Sequence, residues 1–537
     1  LYYRVSSATP LVWRRRFADD GVMTVRTDAI ALALTLFLLA FTALACGSSA
    51  SNPPPTGGGG TVDGGATVDG GGSADSTAGG DTVGNDSDSN DTSGSASPGS
   101  DAGGSSDVSS GPNVSGALVH APFKPAAPGG KATRWVSPSG KDSNPGTKDK
   151  PWREIHHAAQ AAKPGDVVAI LDGQYKSPII VAGKVASAAK PLVFRAEGDA
   201  VFIDGSGADG SKWDKRDAIY IYDSAHVIVH GLHASKANRA GLRVSKSDHV
   251  TVQACVFNEN GVWGIFTDFS DHTALLGNVC NKNAKEHGIY VSNASDNARI
   301  IGNRCSANRA SGIQINADPA TSKAEKEDGI SSGCVIERNL LTGNGKIGGA
   351  AINLASVRKS TVRNNLLVNN RGTGIGMWDD GQGSQWGSKN NIVEHNTVVM
   401  ATGAGRFAMT IWNGSTGNTV RNNVLVGAAR GSISYTTDSL SGLKSDHNIF
   451  FSYSGWHLFE DEKAAKKRNV DQWKKISGGD KSSKKAKPVF INPTSFDMRL
   501  KAGSAGVDGG ADAGVKTTYD GSKRPFGKAP DCGAFER

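Results

Sequence analysis

The chain has 537 residues and a formal net charge of +8. Residues 1–46 hold five Arg against three Asp, and residues 47–117 hold nine Asp with no Lys, Arg or Glu, so residues 118–537 carry +15. The roughly 420 residues from 118 onward are ample for a large core and too many for one ordinary globular domain, which favours an elongated repeat architecture. A surface that basic captures polyanions at low salt; the competing reading is a solubilising excess.

Ala29 to Ala45 is an uncharged apolar run of 17 residues. It is short for a membrane span and suits a signal-peptide core. It ends in Ala43-Leu44-Ala45 and is followed at once by Cys46. This arrangement resembles the lipobox of bacterial lipoproteins, with Ala43 where Leu is usual. The resemblance implies lipidation at Cys46, as the new N-terminus after removal of residues 1–45. The alternative is ordinary cleavage beside an incidental Cys. Met23 would give a tidy start to the signal segment.

Residues 47–117 are almost entirely Gly, Ser, Asp, Thr, Ala, Asn and Pro. They lack the large apolar groups that offset ordering entropy and read as a disordered, flexible linker. Such a coil spans roughly 45 Å on average.

From about Asp217 the sequence repeats. Ala240-Gly-Leu-Arg-Val, Trp263-Gly-Ile-Phe-Thr, His287-Gly-Ile-Tyr-Val, Ser311-Gly-Ile-Gln-Ile and Thr373-Gly-Ile-Gly-Met are successive versions of one segment. Each is followed by a second β-rich run ending in Asn, as in Ala298-Arg-Ile-Ile-Gly-Asn303 and Cys334-Val-Ile-Glu-Arg-Asn339. Period-2 alternation between Gly, Asn, Ser and Asp clusters is strand and turn chemistry. One such unit cannot bury its apolar face alone, so units stack. The recurrent Asn then forms a column able to pair its own amides. Cys280 and Cys305 fall at equivalent positions, either stacking as buried thiols or joined by a strained disulfide.

Trp135 to Arg537 resembles the right-handed parallel β-helix proteins with a pectate-lyase-like fold. The entry segment Trp135-Val-Ser-Pro-Ser-Gly-Lys-Asp-Ser-Asn-Pro-Gly-Thr, the run Ile155 to Asp166, the G-I-x-V coils and the terminal Asp531-Cys-Gly-Ala-Phe-Glu536 carry the resemblance. It implies an all-β parallel solenoid with an N-terminal capping helix. The expected divisions are 118–216 for the cap and first coils, 217–450 for the repeat coils, and 451–537 for the last coils and terminal motif.

Alternation within G-I-x-V points Ile and Val inward and leaves an outward stripe. That stripe carries Arg243, Phe266, Asp268, Tyr290, Gln314, Asn316, Asn353, Trp378 and Trp412, with Trp263 and His287 just before their glycines. Flat rings, amides and an Arg suit a sugar chain bearing carboxylates; the other reading is aromatics packed under long turns. Insertions at 317–333 and 379–388 would wall this face. Asp268, Asp379 and Asp380, with Asp318, are candidate Ca2+ ligands, against plain turn chemistry. The family resemblance implies β-elimination of polyuronates, hydrolysis or epimerisation. Elimination needs a neutraliser, a base and an acid, for which Arg243, His287 and Tyr290 are the candidates. His287 could instead simply hydrogen-bond the next coil. The sequence thus leads to an exported, envelope-anchored monomer that cleaves or holds an acidic polysaccharide. Its membrane contact would be through lipid alone, and no nucleic-acid partner is expected. A non-catalytic carbohydrate-binding adhesin is the alternative. The Lys-rich stretch from Lys463 to Lys487 reads as a polyanion-binding loop or a mobile insertion.

Overall fold

The computed structural model describes residues 123–537 except positions 210, 213 and 456. Cys46, the apolar run before it and the linker at 47–117 lie outside these residues. The described residues fall in one compact unit. Among them, no helix is long and apolar enough to cross a membrane.

Three sheets of twelve strands each run the length of a right-handed solenoid, and within each the strands follow chain order. One coil shows the plan. Ala240–Ser245 lies in the second sheet, Thr251–Gln253 in the first and Val256–Asn258 in the third, and Trp263–Asp268 returns to the second. Except at the last strand of the second sheet, the pairing is parallel and in register, so like residues stack on like. Leu242, Ile265, Ile289, Ile313, Ile352, Ile375, Met409 and Ile433 form one unbroken inward row. All eight are 0% exposed, as alternation predicts.

Two asparagine columns run up the inside of the turns. In one, the Nδ2 of Asn278, Asn303, Asn339, Asn365, Asn396 and Asn423 each donates to the Oδ1 of the next Asn, ending at Asn448. The backbone N–H of each also donates to that same Oδ1, and a second Nδ2 bond reaches a carbonyl of the preceding coil. Asn260, Asn283, Asn308, Asn344 and Asn370 form the other column. Every buried amide is thereby satisfied without water.

The second column explains the motif glycine. A Cβ on Gly288 would lie 2.7 Å from the Gly312 carbonyl oxygen, 2.8 Å from Asn308 Nδ2 and 2.9 Å from Cys305 Cβ. Gly264 is equally crowded by Gly288 and Asn283. Here glycine is needed for close approach rather than for an unusual backbone angle. Cys280 and Cys305 pair in register, and Cys255, Cys280, Cys305, Cys334 and Cys532 are all free and buried.

Both ends of the solenoid are covered. Ile155–Ala161 forms the N-terminal helix, with Ile155, Ala158 and Ala159 buried. The Lys-rich stretch builds the other cap. Lys466–Arg468 pairs antiparallel with Phe459–Asp461, and the helix Val470–Ser477 follows behind a capping box at Asn469. Its Trp473 is fully buried and lies flat on Phe459, ring centroids 4.7 Å apart and 4° from parallel. The lysines stay outside while Trp473 covers core that would otherwise meet water, as terminal repeats must.

The terminal segment then folds back on the third sheet. Phe490, Met498, Leu500, Tyr519, Cys532, Ala534 and Phe535 pack with Leu340, Leu366, Val368, Val399, Val424 and Val426. Arg524, fully buried, donates to Glu536 Oε1, to the carbonyls of Asp531 and Gly533, and lies 2.7 Å from His395 Nδ1.

Candidate functional site

The outward face of the second sheet gathers the expected stripe. Register sets Tyr220, Arg243, Phe266, Tyr290, Gln314 and Asn353 side by side on consecutive strands. Strands repeat at about 4.8 Å, so these side chains touch their neighbours along the row.

At one end they make an arginine–aromatic cluster. Trp263, Phe266 and Tyr290 pack together outside the main core. Trp263 and Phe266 stack at 4.5 Å. The Arg239 guanidinium sits 5.0 Å from both rings, and that of Arg243 lies 5.0 Å from Tyr220 and 5.6 Å from Phe266. Each guanidinium has a carboxylate. Arg243 donates from Nε and Nη2 to the two oxygens of Asp268 at 3.2 and 3.0 Å, and Arg239 lies 3.8 Å from Asp217. Burial alone would discharge Arg243, but Asp268 outweighs it and raises its pKa. Arg239 is pulled down to about 10 by burial, which Asp217 only partly offsets. Burial in turn raises the Asp217 carboxyl. Arg239, Asp217 and Tyr220 were not among the residues expected here. Arg239 and Asp217 flank the strands, where alternation does not reach, whereas Tyr220 holds the outward position of Arg243 one coil earlier.

His287 belongs to the same cluster but not as expected. Its Nδ1 accepts the backbone N–H of Ser311 in the next coil at 3.1 Å. That donor forces the remaining ring proton onto Nε2, which lies 3.5 Å from Glu286 Oε2. Burial lowers the His287 pKa to about 3. The neutral ring therefore presents a donor and has no spare lone pair, which argues against its expected role as a base. Glu286 Oε2 also accepts Trp263 Nε1–H at 2.7 Å. Tyr290 meets the His287 ring edge-on at 5.2 Å.

Beyond the cluster the stripe turns to amides and indoles. Asn353 Nδ2 donates to Gln314 Oε1 at 2.8 Å, and Asn316 Nδ2 to Asp380 Oδ2 at 2.6 Å. Trp412 Nε1–H is held by Ser434, whose hydroxyl donates to Glu462. Trp378 is half-buried, and its indole N–H has no acceptor among the described residues. The insertion at 317–333 contains the helix Pro319–Ala324, capped by Asp318, and Glu325 beside it pairs with Lys246 at 2.9 Å.

The expected Ca2+ set is not brought together. Asp268 stands four strands away from Trp378, about 19 Å at the strand repeat. It is committed to Arg243 and to the Ser245 hydroxyl. Asp379 accepts from the N–H groups of Gly381 and Gly383 and from Asn413 Nδ2, which is turn chemistry. Asp380 holds Asn316. One ion cannot take ligands from both ends of this face. Among the described residues, the grouping of His and acidic side chains close enough to share an ion is elsewhere: Asp248, His249 and His272.

A family model for the Pel9A-like right-handed β-helix region matches residues 134–406. A Bacillus subtilis (strain 168) protein described as uncharacterized protein YwoF is 23% identical over 438 residues, covering 68% of this chain and 90% of that protein. The crystal structure of pectate lyase Pel9A superposes with a TM-score of 0.51 at 18% identity, over 76% of this chain and 98% of that one. The structure of an alginate lyase from Paenibacillus sp. str. FPU-7 covers 57% of this chain and 94% of its own, at 16% identity and a TM-score of 0.38.

Proposed function

The chain belongs to the Pel9A-like right-handed β-helix family, and from that premise we propose that it holds an acidic polysaccharide along the outward face of its second sheet and cleaves it by β-elimination. The observation that carries this is the composition of that face. Two guanidinium groups on aromatic rings adjoin a run of amides and two tryptophans, all on or directly beside consecutive strands. Guanidinium recognises carboxylate, and flat rings recognise sugar faces. A charge of +15 from residue 118 onward favours capture of such a polymer.

In this reading Arg243 neutralises the substrate carboxylate, exchanging part of its pairing with Asp268. Tyr290 donates to the leaving oxygen. Proton abstraction falls to Glu286, since the Nδ1 lone pair of His287 is engaged by Ser311. Trp263, Phe266, Gln314, Asn316, Asn353, Trp378 and Trp412 line the path of the chain.

One observation favours a second reading, a non-catalytic binding face. Arg243 is already paired and His287 is tied to the next coil, an arrangement that suits holding better than turnover. Incubation with pectate and alginate, with and without Ca2+, separates the two. New ultraviolet absorbance from unsaturated uronide supports elimination. Retained binding without absorbance or new reducing ends supports the binder, and absence of both refutes the polysaccharide itself. Placement at the cell envelope through Cys46 is part of the proposal. A Cys46→Ala chain that stays in the membrane fraction would refute that part.

A further inference from the structure

Away from that face, the turns between the second and first sheets carry a ladder of imidazoles. His226, His249 and His272 occupy the same position in three consecutive coils. His226 and His249 stack at 4.7 Å, and His249 and His272 at 4.4 Å and 15° from parallel. All three have φ of 52°, a left-handed conformation costly for most side chains. Further along the column the position is filled by Asn297 and Gly333, residues that adopt it more readily. The turn backbone beneath is fixed by buried serines, each N–H of Ser224, Ser247 and Ser270 donating to the serine hydroxyl of the next coil.

Asp248 stands at the Nδ1 edge of two of the stacked rings. Its Oδ1 is 2.9 Å from His249 Nδ1 and 3.0 Å from His272 Nδ1. The three ligand atoms all lie within 4.8 Å of one another. Ligands bound to one ion through bonds of about 2.1 Å stand roughly 3.0–3.4 Å apart, so small rotations suffice to close the set. Asn297 Nδ2 donates to His272 Nε2 at 3.3 Å, and a flip of that amide would present its oxygen to the Nε2–H of a metal-bound ring, the outer hydrogen bond that orients such a ligand. A groove of about 580 Å³ lined by all three histidines, Asn297 and Arg299 opens over the cluster.

We propose that Asp248, His249 and His272 form a binding site for a divalent transition-metal ion such as Zn2+, with coordination positions left open toward this groove. Two imidazole nitrogens and one carboxylate oxygen suit Zn2+ and its neighbours and are a poor set for Ca2+, which takes six to eight oxygens. On binding, the ion replaces the Nδ1 protons that face Asp248, and each ring then carries its single proton on Nε2. Asn297 then turns its amide oxygen toward His272. His226 is a stacking partner outside the set. The site is independent of the polysaccharide reading, since none of its residues lies on the stripe.

The test is calorimetric titration of the full-length, untagged chain with zinc chloride after chelator treatment. The expected result is about one equivalent bound per chain, lost in the His249→Ala/His272→Ala variant and weakened roughly tenfold by Asn297→Ala. Excess calcium chloride should not displace the ion. Circular dichroism and melting temperature of the unloaded variants should match the parent, because both rings are 44% exposed. No binding by the parent, undiminished binding by the double variant, or displacement by Ca2+ would each overturn the proposal.

Discussion

Arg243 and Asp268, one coil apart, form a two-pronged ion pair on the outer face of the second sheet, with side chains only 13% and 7% exposed. Removing one partner of such a pair strands the other. Asp268→Ala should therefore destabilise the fold by about 3 kcal/mol. Replacing both by apolar residues of similar size should recover most of that loss. Melting temperatures of the single and double variants check this, and equal losses in both would contradict it.

His287 makes stability depend on pH. Its folded pKa, lowered to about 3 by burial, lies below the unfolded value near 6.5. The unfolded chain therefore binds more protons between those values, and stability falls as pH drops through that window. The contribution is fully present above pH ~6.5. His287→Gln should flatten the fall in melting temperature between about pH 6.5 and pH 4. A parallel slope in parent and variant would show that His287 does not titrate this way.

The asparagine column makes a separate prediction. Asn339 accepts from Asn303, and its Nδ2 donates to Ile300 O and Asn365. Asn339→Ala leaves several buried groups unpaired at once and should cost about 2–4 kcal/mol. Ser306→Ala, at a half-exposed strand position, should cost well under half as much. Chemical denaturation of the two variants distinguishes them.

Gly288→Ala places a methyl group against Gly312 O, Asn308 and Cys305, backbone and buried neighbours that have nowhere to go. The expected cost is about 1–3 kcal/mol or more, as for overpacking. Gly183, with open space around its missing Cβ, is the control for crowding, although its positive φ keeps that substitution from being free. Soluble yield and melting temperature report the difference.

Trp378 carries a buried indole N–H with no acceptor among the described residues. If a sugar oxygen fills that role, Trp378→Phe should weaken polyuronate binding by about tenfold while leaving melting temperature unchanged or raised. Affinity electrophoresis in pectate or alginate gels reads the first, thermal melting the second. Unchanged mobility would remove Trp378 from the path.

The architecture was legible in the sequence because it is a property of one repeat copied many times. The inward Ile row and the asparagine column follow from position within a coil, while the Ile155–Ala161 cap was implied by the family resemblance. The site was legible only as a direction. Alternation told which side chains face out, but not that Arg243 would meet Asp268 one coil on, nor that Ser311 would take the lone pair of His287. Such pairings depend on which residue of the next coil lands alongside. The imidazole ladder did have a signal, Ser-Asp-His at 247–249 and again at 270–272. It was missed because those residues sit in turns, where alternation gives no direction.

The asparagine columns have a consequence for how such a chain can lengthen or shorten. Each amide needs only the coil above and the coil below, so the array has no preferred number of members. Gain or loss of a whole coil rejoins the column in phase. A single residue added between strands shifts one Asn out of line and flips the strand that follows. The 317–333 insertion escapes this because its extra chain lies wholly within a turn, and Asn303 still meets Asn339 across it. The molecule's length is therefore quantised, and its variation is steered either to entire coils or to excursions that return to where they left.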